Sequence, residues 1–229
     1  MSTKSSKQTS AKTRTLVFTA ILAALTTAFT LISIPLPFGG YFNFGDLVIF
    51  IAAILLGPVY GAIVGGIGAT LGDLILGYIF YMPFTLVIKA IEGLIVGFLY
   101  VLIKKFSKDK NSKNVLEIIF VTLANLLAGF VMALGYFLAE GLLLSEDHWV
   151  GGIAQLPLNT LQGAISALVA VALLYAFQLK RVFDRYFYKN LPSKQIDSQE
   201  QHDFNDAASA TVEDNFDDKP SNDDNSLLK

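Results

Sequence analysis

The chain alternates long apolar runs with clusters of Lys and Arg, and the spacing of these clusters limits how it can fold. Of the seventeen basic residues, all except Lys89 fall within positions 4–14, 104–113 or 180–229. Short cytoplasmic loops of membrane proteins retain basic residues. All three regions should therefore lie on one side of a membrane, with an even number of spans between each pair.

The apolar runs are long enough to cross a bilayer, whose core requires roughly 20 helical residues. Four such runs occupy residues 18–34, 84–103, 115–144 and 153–177. Between the first two, apolar residues continue almost unbroken from Leu47 to Tyr81. A single span there would give an odd number before Lys104. We therefore expect two short helices of about 17 residues each, separated by a turn at Gly57-Pro58.

The sequence thus predicts an all-α integral membrane protein, a bundle of six transmembrane helices with both the N and C termini in the cytoplasm. The apolar content of 53% and charged content of 16% agree with this class. We expect a cytoplasmic arm over residues 1–14 and a membrane domain over 15–180. A cytoplasmic acidic tail follows over 181–229. From residue 190 this tail has ten acidic residues against three Lys, which predicts disorder.

Several classes of protein are disfavoured by missing motifs. The chain has no Cys and only two His, His148 and His202, and no metal-ligand spacing or nucleophile–base pattern is present. Gly66-Ile67-Gly68 lacks the strand that a nucleotide-binding fingerprint requires, and no phosphate-binding Gly-x-x-x-x-Gly-Lys occurs. The basic clusters suit anionic lipid headgroups rather than nucleic acid. We expect no catalytic residues, metal or cofactor.

Small residues recur at helical spacing in the first and third predicted helices. Ala20, Ala24 and Ala28 share one face, which lets another helix approach closely. Spacing alone leaves open whether that helix belongs to this bundle or to a separate membrane subunit. Two glycine stripes on the third helix predict close packing within the bundle; they comprise Gly57, Gly61 and Gly65, and Gly68 and Gly72.

Polar side chains from three predicted helices fall at one depth, roughly 6 to 15 Å from the outer helix ends. They are Lys89, Glu92, Tyr136, Glu140, Asn159 and Gln162. A charge at a helix centre costs about 3 kcal/mol, so such residues normally face a bundle interior or a wet cavity. This layer predicts a small-molecule site. The alternative is an ion pair of Lys89 with Glu92 or Glu140 that only fixes helix register.

The predicted outer loops supply aromatic residues for the walls of such a site. Residues 35–46 combine Gly hinges with three Phe and a Tyr, and this segment can close over a bound ring. From the outer loops we include Asn43, Phe44 and Tyr81 as candidate binding residues, although aromatics at this height often serve as interfacial anchors. We expect Asp46 to be the N-cap of the second helix. Asp73 can pair with Lys89.

Several short motifs occur along residues 15–180 together with the alanine stripe. They are Asn43-Phe44-Gly45-Asp46, Leu56-Gly57-Pro58 with Gly61 and Gly65, Gly72-Asp73, Gly77-Tyr78 and Ile88-Lys89-Ala90-Ile91-Glu92-Gly93. With six helices and both ends inside, this set resembles the substrate-binding S components of energy-coupling factor (ECF) vitamin transporters. It is most similar to the group assigned to pyridoxine or hydroxymethylpyrimidine, which some classifications place with riboflavin S components.

The resemblance implies a subunit of a prokaryotic plasma membrane that captures a water-soluble vitamin from outside. It implies docking through Ala20, Ala24 and Ala28 on a transmembrane coupling (T) subunit, powered by two cytoplasmic ATPases, so that the chain is not itself an enzyme. S components for riboflavin, thiamine, pantothenate or cobalamin are alternatives. A stand-alone ion-coupled transporter or an intramembrane enzyme is the alternative of a different class.

Overall fold

Seven α-helices and one β-hairpin form the described part of the chain, which in this computed structural model covers residues 2–36, 40–106, 115–144 and 149–187. The elements are α1 (Ser2–Leu31), β1 (Ser33–Pro35), β2 (Tyr41–Asn43), α2 (Gly45–Leu56), α3 (Pro58–Leu76), α4 (Met82–Phe106), α5 (Val115–Ala139), α6 (Trp149–Val171) and α7 (Leu179–Phe187). Short π-helical segments, Glu140–Leu144 and Ala172–Ala176, extend α5 and α6.

Five of these helices are long and apolar enough to cross a membrane, which confirms the all-α membrane class. The candidate spans are Lys12–Leu31, Pro58–Leu76, Met82–Phe106, Val115–Leu142 and Trp149–Ala176. The sixth apolar segment, α2, has 12 residues and is about 18 Å long, against about 30 Å for a bilayer core. The prediction of about 17 residues for this helix was wrong.

Helix α2 lies inside the bundle, in contact with α1, α3, α4 and α6. Eleven of its 12 residues are buried, and Ile49 and Phe50 have no exposed surface. A helix with apolar residues on every side is stable where other helices surround it. Gly57 then reverses the chain with φ +91°, and Pro58 occupies the first turn of α3, where its missing N–H is not needed.

The turn between α2 and α3 packs against α4. Pro58 packs so closely on Gly97 of α4 that a Cβ at Gly97 would overlap the proline. Gly97 stands nine residues before the end of α4 at Phe106, a distance of about 13 Å along a helix. The short α2 therefore turns back well before the level at which α4 ends.

The glycine stripes of α3 pack against three other helices. Gly61 and Gly65 face α2 and α4: a Cβ on Gly61 would overlap Ala53, and one on Gly65 would overlap the backbone carbonyl of Lys89. Gly68 and Gly72 face α1, where added Cβ atoms would overlap threonine side chains. Both stripes thus bring backbones close together inside the bundle, as small residues do between membrane helices.

The segment expected as a hinged outer loop contains a β-hairpin instead. Its strands are antiparallel, with Ser33 opposite Asn43 and Pro35 opposite Tyr41; the tip, residues 37–39, lies outside the described residues. The domain predictions for the two ends are only partly covered. Helix α1 continues through the predicted arm to residue 2, with side chains described from residue 12, and the predicted acidic tail from about 190 lies outside the described ranges.

Candidate functional site

A small polar cavity lies where the hairpin covers one end of the bundle, here named the hairpin end. Its volume is about 30 Å³, room for about two water molecules. Residues from α1, the β2 side of the hairpin, the α3–α4 loop and helices α3 to α6 line it: Thr30, Gly40, Tyr41, Asn43, Ala69, Asp73, Tyr81, Thr85, Lys89, Tyr136, Gln155, Asn159 and Gln162. The predicted polar layer and the aromatic segment therefore meet in one place.

Of the nine candidate binding residues, six line this cavity and three do not. The six are Asn43, Tyr81, Lys89, Tyr136, Asn159 and Gln162. Glu92 and Glu140 are buried beside lining residues and contact them. Phe44 packs its ring edge-to-face on Phe42, with centroids 5.6 Å apart.

Lys89 is the centre of a buried ionic cluster. It forms a salt bridge with Asp46 of α2, and its Nζ lies 3.1 Å from Oε2 of Glu92. The prediction that Asp46 caps α2 was wrong, because its carboxylate points to Lys89 and the helix already begins at Gly45. The backbone N–H of Gly45 instead donates to the Asn43 side chain at 2.8 Å. Proximity of α2 to α4, which no local pattern encodes, accounts for the difference.

Gln162 of α6 joins the hairpin to this cluster. Its Nε2 donates to Oδ2 of Asp46 at 2.9 Å, and its Oε1 accepts from the backbone N–H of Asn43 at 2.8 Å. A glutamine amide has both a donor and an acceptor end, and both are used here. The side chain is 2% exposed in total. Gln162 therefore holds three elements in a fixed arrangement.

Asp73 of α3 lines the cavity but does not form the pair with Lys89 that the sequence suggested. Its Oδ1 accepts a hydrogen bond from the Tyr41 hydroxyl, and no salt bridge with Lys89 is present among the described residues. Burial, followed by the charge of Asp73, raises the pKa of the Tyr41 phenol above its ordinary value. Tyr41 is thus a neutral donor, and it also stacks on Tyr78 with ring centroids 4.8 Å apart.

Glu140 lies behind the part of the cavity wall that Tyr81 and Gln155 form. Its Oε1 accepts hydrogen bonds from the Tyr81 hydroxyl and from Nε2 of Gln155, the latter at 2.9 Å. Burial and this carboxylate raise the pKa of Tyr81 above its ordinary value. Glu140 is therefore not a partner of Lys89, which had been one alternative. Its observed contacts hold two lining side chains in position.

Five polar or aromatic lining residues were not among the nine candidates: Thr30, Tyr41, Asp73, Thr85 and Gln155. Gln155 carried a usable signal, because it stands four positions before Asn159 and seven before Gln162 and so shares their helix face. Asp73 is an acid within an apolar helix, which by itself suggests an interior position. Tyr41 belongs to the aromatic segment 35–46 that was expected to cover the site, whereas Thr30 and Thr85 had no distinguishing signal.

The alanine stripe of α1 lies on the surface. Ala20, Ala24 and Ala28 are exposed, whereas buried Thr26 and Thr30 on another face of α1 pack on α3. From spacing alone, packing within the bundle had been favoured over docking on a separate subunit. Within the described residues, no neighbouring helix of this chain covers the stripe.

Comparisons with known proteins agree with this architecture. Residues 10–179, or 170 of the 229 residues, match the family described as ECF-type riboflavin transporter, S component. An uncharacterized protein of Pyrococcus woesei, described only as lying in a "gap 3'region", is 42% identical over 114 residues, 49% of this chain and 68% of that protein. The chain therefore belongs to the ECF-type riboflavin transporter S component family and is a multi-pass membrane subunit of vitamin uptake.

Proposed function

We propose that this S component binds a vitamin or precursor with a single heteroaromatic ring, pyridoxine or hydroxymethylpyrimidine, in the hairpin-end cavity. The observation that carries the proposal is the set of amide, carboxylate and phenol groups that surrounds the cavity. At about 30 Å³ the cavity is smaller than any of these vitamins, so the hairpin must move to admit one. A single substituted ring requires a smaller movement of the hairpin than a three-ring ligand with a polyol chain does. Small-molecule sites combine apolar walls with a few placed polar groups in this way.

The free hydrogen-bonding capacity of the cavity matches such a ring. Lys89 and Gln162 are largely engaged with Asp46, so they serve to organise the site. The Asn159 amide, by contrast, forms no hydrogen bond with another described side chain and is 6% exposed. Its donor and acceptor can satisfy a ring hydroxyl and a ring nitrogen. The Tyr136 ring, 5.7 Å from Lys89 Nζ, provides an aromatic wall.

Riboflavin is the second candidate, because the matching family carries riboflavin in its description. Its isoalloxazine ring system far exceeds the present cavity, so its entry requires the hairpin to move away from α3 and α6. The contacts to be broken are those of Tyr41 with Asp73 and of Asn43 with Gln162. Thiamine, pantothenate and cobalamin lack a comparable supporting observation.

For the topology we propose both termini in the cytoplasm and the hairpin end facing the exterior. Lys104 and Lys105 stand at the end of α4 remote from the hairpin, and Lys180 of α7 lies over the Tyr100 ring near that same end. This asymmetry supports the positive-inside assignment. Helix α2 then enters from the hairpin end and turns back at Gly57 before it reaches the cytoplasmic end of α4, and α3 returns to the hairpin end. The chain thus has six helical segments in a prokaryotic plasma membrane.

S components in general work with a T component and ATPases. We propose that Ala20, Ala24 and Ala28 form the T-subunit surface of this chain, with two ATPases supplying the energy. The support is the exposure of three small residues at four-residue intervals, since such a face allows close helix approach within lipid.

The test is direct binding to the full-length chain in lipid nanodiscs, measured by calorimetry with pyridoxine, hydroxymethylpyrimidine, riboflavin, thiamine, pantothenate and cobalamin. Mass spectrometry of small molecules retained through purification identifies a ligand independently. We expect a single-ring compound to bind, and Asn159→Ala to weaken it at least tenfold, about 1.4 kcal/mol. Thr160→Ala is the matched control, because its hydroxyl only bonds the Leu156 carbonyl of its own helix. Binding of riboflavin alone favours the second candidate, and binding of no vitamin contradicts the proposal.

A further inference from the structure

The hairpin end of the bundle contains more buried acids than bases. Asp46, Asp73, Glu92 and Glu140 are each at most 3% exposed. Lys89 is the only basic residue between positions 15 and 103, and it already pairs with Asp46 and Glu92. Burying an uncompensated carboxylate is strongly unfavourable. A positive charge brought by a ligand would therefore be stabilised here, whereas a neutral ligand would not offset the excess.

Among these acids, Asp73 combines burial with direct access to the cavity. It is 2% exposed and lines the cavity, while Glu92 and Glu140 do not. Its Oδ1 accepts from Tyr41, but its Oδ2 has no hydrogen-bond partner among the described residues. Most buried polar side-chain atoms in proteins do have such a partner. The Oδ2 atom is thus an acceptor left open at the wall of the site.

The neighbours of Asp73 do not satisfy this atom. The Thr85 hydroxyl lies near Asp73 and is hydrogen-bonded with the Tyr136 hydroxyl at 3.0 Å. Neither hydroxyl forms a hydrogen bond with Oδ2. Lys89 forms its two salt bridges elsewhere. Tyr41 uses its one donor on Oδ1. A ligand with an N–H group would supply the donor that Oδ2 does not receive from these three side chains.

We propose that Asp73 anchors the positive charge that an amino substituent gives the ligand, either on the amino group itself or on the ring nitrogen that the amino group makes more basic. The site then selects an amino-bearing pyridine or pyrimidine over a ring of the same size without the amino group. Charge-assisted hydrogen bonds to a buried carboxylate are about twice as strong as neutral ones, which is the physical basis of the preference. This inference rests on the proposed function of the same cavity and adds the charge of the ligand.

The experiment compares ligands that differ in one group and uses the full-length chain in nanodiscs. The pairs are pyridoxamine with pyridoxine, and aminohydroxymethyl-methylpyrimidine with its deaminated hydroxy analogue. For the ring series that binds, we expect the amino member to bind at least tenfold more tightly. Asp73→Asn should reduce that preference to less than threefold, because it keeps the shape of the side chain and removes its charge.

Two further variants separate recognition from damage to the fold. Glu117→Gln removes a buried carboxylate at the opposite end of the bundle, where it pairs with Lys104, and should keep the full preference. Tyr41→Phe leaves Asp73 charged and should keep or increase it. If a ring binds without preference for its amino form, or if Asp73→Asn retains the preference, this inference is wrong while the proposed function stands. If none of the rings binds, the proposed function itself fails.

Discussion

Lys89 of α4 and Asp46 of α2 form a salt bridge in the interior of the bundle, with the two side chains 3% and 0% exposed. Glu92 stands 3.1 Å from the same ammonium group, so one cation serves two carboxylates. A buried ion pair often contributes little to stability relative to apolar residues, but removing one partner leaves an uncompensated charge. The pair therefore makes the packing of α2 on α4 sensitive to single substitutions.

Lys89→Met should lower the free energy of unfolding by about 3–5 kcal/mol, because two carboxylates lose their counter-charge. Denaturant unfolding in detergent micelles measures the change. The double variant Lys89→Met with Asp46→Asn should lose less than the sum of the two single changes, since the substitutions remove both ends of one interaction. Lys105→Met, on an exposed side chain of the same helix, is the control. Stability of Lys89→Met within 1 kcal/mol of the parent, by the same measurement, would contradict the structural role.

Gln162→Ala should release the hairpin, because the Gln162 side chain loses its hydrogen bonds with both Asn43 of the hairpin and Asp46 of α2. Hydrogen exchange at the Asn43 amide, whose acceptor is removed, should accelerate by at least tenfold. Vitamin binding should weaken at least tenfold as well. Thr160→Ala on the same helix should alter neither quantity. An unchanged exchange rate at Asn43 would show that other contacts are sufficient to hold the strand.

Ala24→Leu should leave vitamin binding by the isolated subunit unchanged and abolish copurification with the coupling module, together with uptake by cells. A larger side chain on the exposed stripe prevents close approach of a second helix. Ala172→Leu places the same bulk on an exposed alanine elsewhere and should leave copurification intact. Loss of vitamin binding in Ala24→Leu would instead indicate that the stripe packs within this chain.

Gly65→Val should destabilise the protein by about 1–3 kcal/mol or more, since the added side chain overlaps the Lys89 carbonyl and Ile49. Moving the backbone of Lys89 should also weaken vitamin binding. Thermal unfolding followed by calorimetry tests stability, and Ile67→Val on the exposed side of α3 is the control. Equal unfolding temperatures for Gly65→Val and the parent would mean that α3 and α4 can move apart without loss of stability.

Much of the helical framework could be predicted because lipid imposes length and charge rules that single sequences reveal. The break at Gly57-Pro58 followed from proline chemistry, and it occurs where α2 ends and α3 begins. The length of α2, by contrast, could not be predicted from these rules. Its apolar run continues without periodicity on both sides of the break, and a helix enclosed by protein need not match the thickness of the membrane.

The candidate site could be predicted in its depth but only partly in its contacts. Depth follows from residue counts along a helix, which brought Lys89, Asn159 and Gln162 to one layer. Partner choice depends on how helices rotate and tilt, so Asp46 was assigned to a helix cap although it pairs across to α4. The hairpin was missed because a three-residue strand has too few positions to display alternation.

One helix, α1, contributes to both surfaces that we propose for transport. Thr30, near its end, forms part of the cavity wall, while Ala20, Ala24 and Ala28 lie on an outward face of the same helix. Continuous backbone hydrogen bonding makes such a helix stiff over this length, so a tilt imposed on its outward face would also displace Thr30. A single element thus connects the proposed docking surface with the wall of the cavity.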